Sequence, residues 1–465
     1  MNTQSHFNSI ILRVLFFITL LFQWSACSKK MSETLPSDLT TSAPVLFGSN
    51  LNIKVKLGRQ ELNSVINYLV TQNFSEGLNY EDGYKIKSQL DGPLDIQASQ
   101  QQIFVQLPVS VEISPSGIFS SFKVNGAIQL NFTSTFDIVD NKLVFKTELS
   151  HHQWKKKPVV NVLGVNLPIE GIGNFIIKKY KQLLCNSIDE SITQNIKLDK
   201  ISNSLHNYFK NPVYSYYDNE IHVFANPLDM ALGPISMTSQ NLEIPLIFYF
   251  ESVLADSMPE EFNHKCSFSV RPHFEARSAL NIQSRIPLQF IDSLIQLQIV
   301  NQTFGSGISK VKIKSAHLTG GGNYMYITLN TEGAYRGDLL LSFIPEFEPG
   351  DRKITLQDFK IKAQKGKGIN KLVFAVVKGI AELKIKKSVE EQLNNTLKEF
   401  EANVHKMLEK NEIMEGMELN GYLKDYSLRK IQFHDNRLYF YLNAELEMEA
   451  IVKKIDKDKL ILHKF

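Results

Sequence analysis

Apolar residues recur at every second position over long stretches of this chain. Ile103, Val105, Leu107, Val109, Val111 and Ile113 share one face. Ile128, Leu130, Phe132 and Phe136 do the same, with Gln129, Asn131, Thr133 and Thr135 opposite them. Leu438, Phe440, Leu442, Ala444, Leu446 and Met448 line one face of a later stretch whose other face holds Arg437, Asn443, Glu445, Glu447 and Glu449. A period of two with one dry and one wet face predicts antiparallel strands. Asp140-Asn141, Gly320-Gly321-Gly322 and Asp435-Asn436 supply the turns between them.

Two other stretches follow a helical period. Ile172, Ile176, Tyr180, Leu184, Ile188, Ile192 and Ile196 form one. Ile369, Val373, Val376, Ile380 and Leu383, continued by Leu393, Leu397, Phe400, Val404 and Met407, form the other. Each pattern predicts a helix of roughly 35–40 residues, about 50–60 Å long. An ordinary globular helix has only ~11–12 residues. So long a helix needs an equally long apolar partner, and a curved antiparallel sheet is the one the rest of each half offers.

The two halves also resemble each other. "LNIKVKLGRQELNSVI" begins at Leu51 and "LNIQSRIPLQFIDSLI" at Leu280, sharing Leu51/Leu280, Asn52/Asn281, Ile53/Ile282, Gln60/Gln289, Ser64/Ser293 and Ile66/Ile295, with Asn63/Asp292 similar. "NGAIQLNFTSTFDIVDNKL" from Asn125 matches "RGDLLLSFIPEFEPGDRKI" from Arg336 at Gly126/Gly337, Leu130/Leu341, Phe132/Phe343, Phe136/Phe347, Asp140/Asp351 and Lys142/Lys353. Order and residues together predict a duplication. The expected fold is α+β, with two tandem repeats over residues 50–275 and 276–465, each a long curved antiparallel sheet wrapped around one long helix. A sheet bent over a helix makes a tapered tube, which side chains fill or leave open as an apolar cavity. The residues expected to line it are Leu130, Phe132, Phe136, Ile176, Tyr180, Leu184, Phe248, Leu341, Phe343, Phe347, Val376 and Ile380.

At 465 residues the chain exceeds one ordinary core. Charged residues make up 21%, with a net charge of +3, which argues against a nucleic-acid partner and tolerates an anionic membrane surface. The three cysteines make no disulfide framework. Cys185 reads as a small buried thiol, and a pairing with Cys266 stays open.

The first residues have the form of a secretory signal over 1–26: Arg13 within the apolar run Ile10 to Phe22, then Ser25 and Ala26. That run is too short to span a bilayer, which takes about 20 apolar residues. "WSAC" resembles a bacterial lipobox, departing from it at Trp24, where Leu is usual. The resemblance implies lipid attachment at Cys27, followed by a Ser-, Thr- and Pro-rich tether over 27–49. Ser28 in place of the Asp that retains lipoproteins in the inner membrane implies an outer-membrane address. Lys29 and Lys30 favour the periplasmic face over the cell surface. An ordinary signal peptide with a chance cysteine is the alternative.

No G-x-S-x-G, H-E-x-x-H, Walker or dinucleotide motif occurs. His264, Cys266 and His273 fit no standard metal spacing. His151-His152, Trp154 and Lys155 to Lys157 read either as a solvated strand end or as a headgroup patch, since amphipathic rings and lysines favour interfaces. The pieces "LNIKVKLGRQELNSVIN", "HHQWKKKPVV", "NPLDMALGPISMTSQNLEIPLIF" and "GAYRGDLLLSFIPEFEPGDRKITLQDFKI" resemble an uncharacterised family of bacterial lipoproteins, a domain of unknown function akin to the tubular lipid-binding superfamily typified by the bactericidal/permeability-increasing protein. The resemblance runs from about Asn50 to the end. It implies two tubes end to end holding acyl chains, and no catalytic residues. The expectation is therefore a non-enzymatic lipoprotein without cofactor or metal, anchored by Cys27 and binding lipid or another hydrophobic molecule in envelope lipid handling or transport. A filled envelope scaffold or interaction protein, and a secreted hydrolase with a dispersed site, are the rivals. Protein partners are left unnamed.

Overall fold

The computed structural model describes residues 47–74, 78–80, 84–115, 123–162, 165–168, 170–216, 220–304, 307–366, 378–379, 386–409, 411–414 and 416–457. Cys27, Val376 and Ile380 lie outside them, as do the expected signal, the expected tether up to residue 46 and most of the first half of the second helical pattern; Gly48 and Ser49, expected at the end of the tether, already belong to the first strand.

Antiparallel sheet dominates, with a few helices against it, so the α+β class holds. In chain order the first part runs β1 (Gly48–Gly58), α1 (Arg59–Phe74), β2 (Leu78–Tyr80), β3 (Tyr84–Leu90), β4 (Asp95–Gln100), β5 (Gln102–Pro115), β6 (Val124–Val139), β7 (Lys142–Val162), β8 (Val165–Pro168), α2 (Glu170–Asn195), α3 (Leu198–Phe209), β9 (Tyr214–Tyr216), β10 (Ile221–Leu232), β11 (Ile235–Met237), β12 (Asn241–Ala255) and β13 (Ser267–Val270). The second part runs β14 (Arg277–Pro287), α4 (Leu288–Ile299), β15 (Thr303–Phe304), β16 (Val311–Gly321), β17 (Tyr324–Gly333), β18 (Gly337–Glu348), β19 (Lys353–Gly366), α5 (Lys386–Leu408), β20 (Asn411–Met414), β21 (Met417–His434) and β22 (Arg437–Val452).

The centre is built from strands of both parts. β1 pairs antiparallel with β12, Leu51 opposite Phe248, and β14 pairs antiparallel with β22, Leu280 opposite Ala444. β1 continues parallel to β22, Ile53 opposite Met448, and β14 continues parallel to β12, Ile282 opposite Ser252. β1 and β14 thus lie head to head between two longer strands, meeting at Asn50 and Ala279.

The polar contacts at that meeting point are reciprocal. Ser278 Oγ accepts from the Asn52 backbone N–H (2.8 Å) and donates to the Asn52 carbonyl (3.3 Å). Ser49 Oγ accepts from the Asn281 N–H (2.9 Å) and donates to the Asn281 carbonyl (3.1 Å). Asn52 Nδ2 donates to the Arg277 carbonyl (2.7 Å), and Asn281 Nδ2 to the Gly48 carbonyl (2.6 Å). Ser49, Asn52 and Ser278 are buried, so these bonds satisfy groups that water cannot reach.

On one side β3 and β4 flank β5, and β5, β6, β7 and β8 follow in antiparallel order. On the other, β15 to β19 form a five-stranded antiparallel sheet. The period-two faces of β6 and β22 fall as expected: Ile128, Phe132 and Phe136, and Leu442, Ala444, Leu446 and Met448, are buried. Asp140 and Asn141, and again Asp435 and Asn436, have positive φ, as tight hairpins require. Gly320 to Gly322 does form a hairpin end. Gly320 also lets the Phe433 ring lie against bare backbone, where a Cβ would overlap it.

The helices depart from expectation. The first pattern gives α2 of 26 residues, not a longer rod. The chain breaks at Ile196 and Lys197, the latter extended at φ −98°, and α3 sets off to another core. The reason is packing. Leu184, Cys185 and Ile188 of α2 meet β6 and β7, whereas Leu205 and Phe209 of α3 meet the central strands. In the second pattern α5 accounts for 23 residues.

Candidate functional site

α2 lies across β5, β6 and β7. Phe132, Leu149 and Cys185 are buried between them, and Val105, Leu107, Leu130, Ile177, Leu184 and Ile188 surround these three but stay only half-buried. Expected lining residues Leu130, Phe132 and Leu184 therefore come together here. The backbone of Ile176 and Tyr180 lies in α2, but their side chains lie outside the described residues. A strict four-residue spacing drifts around a helix of 3.6 residues per turn. That drift explains how Ile177 and Cys185 join the inward face although the four-residue pattern omits them.

A polar contact ties the middle of α2 to the sheet. Asp189 Oδ2 accepts from the Thr147 N–H on β7 (3.1 Å), beside a buried Ser134–Thr147 hydroxyl pair (2.8 Å). Burial pushes the Cys185 thiol up from its ordinary value, and the carboxylate of Asp189 adds to it.

α5 does the same on the other side. Asn394 Oδ1 accepts from the Ile354 N–H (2.7 Å), its Nδ2 donates to the Ile354 carbonyl (2.9 Å), and Glu390 accepts from the Leu356 N–H (2.8 Å). Side chains of α5 thus occupy the open edge of β19 as a further strand would.

The other expected lining residues fall in different cores. Phe136 packs with Leu143, Leu198 and Phe145, the two rings 5.6 Å apart. Leu341 and Phe343 join Ile313, Ile327 and Leu356, with Phe343 stacked on Phe359 at 5.8 Å. Phe248 and Phe347 belong to the central core shared by both parts. There Phe248 stacks on Phe250 (5.3 Å) and Phe209 (6.0 Å). The hydroxyl of Tyr208 is buried beside this core with no hydrogen-bond partner among the described residues, and burial raises its pKa. Sequence reading did not single it out, because a Tyr on a helix carries no sign of where its oxygen will end.

Cys185 and Cys266 are both free and sit in separate cores, which closes the question of their pairing in this fold. His264 is buried, and its Nε2 lies 3.2 Å from Met258 Sδ. Among the described residues no group of three or more His, Cys, Asp or Glu is placed to hold a metal. No described helix is long and apolar enough to cross a membrane.

Sheet, helix and apolar interior together define an α+β protein. The chain belongs to the family described as a domain of unknown function, DUF4403, whose model matches residues 48–452. No curated protein matches. Similar solved structures include lipopolysaccharide binding protein (TM-score 0.28, 10% identity, 88% of this chain and 100% of that one). P47 from Clostridium botulinum A2 is another (TM-score 0.24, 12% identity, 86% and 97%), as is P47 of Clostridium botulinum E1 (TM-score 0.24, 10% identity, 86% and 98%).

Proposed function

We propose that the protein is a non-catalytic binder of lipid or another hydrophobic molecule, held at the envelope by a lipidated Cys27 and facing the periplasm. The observation that carries this is the half-burial of Val105, Leu107, Leu130, Ile177, Leu184 and Ile188. They are apolar side chains between a helix and a sheet, yet among the described residues of their cluster only Phe132, Leu149 and Cys185 are buried. A close-packed core of the same composition would bury them. A guest supplies the missing contact. Each CH₂ it hides is worth ~0.8 kcal/mol, so an acyl chain of about 16 carbons is strongly held out of water.

The duplicated plan is part of the same reading. Its support is the reciprocity of Ser49–Asn281 with Ser278–Asn52, and of the helix starts: Arg59 N–H donates to the Gln240 carbonyl and Leu288 N–H to the Asn436 carbonyl, both at 2.8 Å. Two like units back to back would each present an apolar layer, one under α2 and one under α5.

Native mass spectrometry of the Cys27→Ser protein tests the reading. Copurifying phospholipid that is lost on filling the layer with Leu107→Trp or Leu130→Trp is the expected result. Correctly folded protein of clean apo mass, taking up no lipid from mixed micelles, would favour the filled scaffold and sink the carrier.

A further inference from the structure

The run Trp154 to Lys157 on β7 has no part in the apolar layer, yet it is built in a particular way. Along β7 exposed and half-buried residues alternate from His151 to Trp154, as a strand requires. Then Lys155, Lys156 and Lys157 are all exposed in succession. Two register shifts in the β6–β7 pairing cause this, one between Asn125 and Ala127 and one between Ala127 and Ile128. Such bulges re-aim side chains. Without them one lysine would point toward the helix-covered face.

Trp154 is fixed at the same point. Its Nε1 donates to Asn174 Oδ1 of α2 (2.8 Å), and its ring lies on Gly126, where an added Cβ would stand 2.9 Å from Cζ3. Lys178, one turn beyond Asn174 on the same helix face, is exposed. Neither Lys155 nor Lys156 makes an ion pair with a described residue, whereas Glu112 on the neighbouring β5 is already held by Lys123 at 3.2 Å to each oxygen. This end of the sheet therefore carries, in Lys155 and Lys156, positive charge with no ion-pair partner among the described residues, beside an anchored indole.

We propose that it is a docking surface for an anionic phospholipid bilayer, with Lys155 and Lys156 against headgroup phosphates and the Trp154 ring at the interface. The charge decides the occupant. Lysines near an anionic surface each contribute favourably within a Debye length, and an amphipathic ring prefers headgroup depth. The proposal does not depend on a cavity, so it stands or falls apart from the carrier reading.

The chain holds two tryptophans, Trp24 and Trp154. In the full-length Trp24→Phe protein, Trp154 is the only one. Its fluorescence should be quenched by vesicles of brominated phosphatidylglycerol and not by brominated phosphatidylcholine, even if the N-terminal segment attaches the protein to both. Quenching should fade with added salt, and Lys155→Glu/Lys156→Glu should weaken it about tenfold or more. Lys142→Glu/Lys146→Glu, the same charge change at the other end of β7, should leave it intact. Equal quenching by neutral vesicles, indifference to Lys155→Glu/Lys156→Glu, or an equal loss with the control pair would overturn the proposal. So would a Trp154 response to a soluble polyanion but not to anionic vesicles.

Discussion

Asn52 and Asn281 look unremarkable in the sequence, each one polar residue within a β-rich stretch. In the fold each reaches the other strand's backbone, and neighbouring serines return the bond. The cysteines show the same dependence on surroundings. Burial pushes the Cys266 thiol up to about 12, with Asp229 adding to the effect, and raises Cys185 as well. The thiolate is the reactive form. Both thiols should therefore resist maleimide at neutral pH in the native protein and react promptly once it is unfolded. Rapid native labelling of either, followed by mass, would contradict the packing described.

Among the elements, the helices do more than cover sheet faces. Asn394 and Glu390 of α5, and Asp189 of α2, satisfy strand edges that would otherwise invite another chain. Asn394→Ala leaves both the Ile354 N–H and carbonyl without that partner. The expected cost is about 1–3 kcal/mol, read as a lower urea midpoint at unchanged slope. Hydrogen exchange at Ile354 should quicken together with it. An unchanged midpoint and exchange rate would show the contact to be incidental. These caps were not legible in advance. A carboxamide within an apolar helical pattern reads as a solvent-facing residue until an edge strand is seen to end beside it.

For the whole molecule, the expected boundary at 275/276 falls between two strands of one continuous sheet. β14 pairs with β22 of its own half but also with β12, and β1 with β22. In residues 276–465 alone the central strands β14 and β22 should be unstable, since β1 and β12 are missing from their edges, whereas in the whole chain the central strands should unfold in urea as a unit. Cooperative folding of that fragment by itself would refute this. Asp256 and Arg437 bind the two parts further, at 2.7 and 3.2 Å. Burial tends to raise the Asp256 pKa, but the hydrogen bonds and charge of Arg437 outweigh it and hold the carboxyl below its ordinary value. A depressed folded-state pKa contributes stability that is present above the ordinary carboxylate value of ~3.9 and is lost as pH falls through the folded one. Asp256→Asn should flatten the urea midpoint's dependence on pH below about 4. An unaltered acid limb would rule the pair out as a contributor.

Strand faces, turn sites and the place of the first helical pattern and of the later half of the second could be read from residues alone, because period and turn chemistry are local and survive in any context. The half-buried layer under α2 was legible only in part. Leu130, Phe132 and Leu184 were named, but a spacing of four passed over Ile177. Tertiary structure decided the break after α2, the crossing of β1 and β14 between the halves, and the outward turn of Lys155 to Lys157. Each of these depends on what lies across the sheet or beneath the helix, and a neighbour distant in sequence leaves no periodic trace in the chain that meets it.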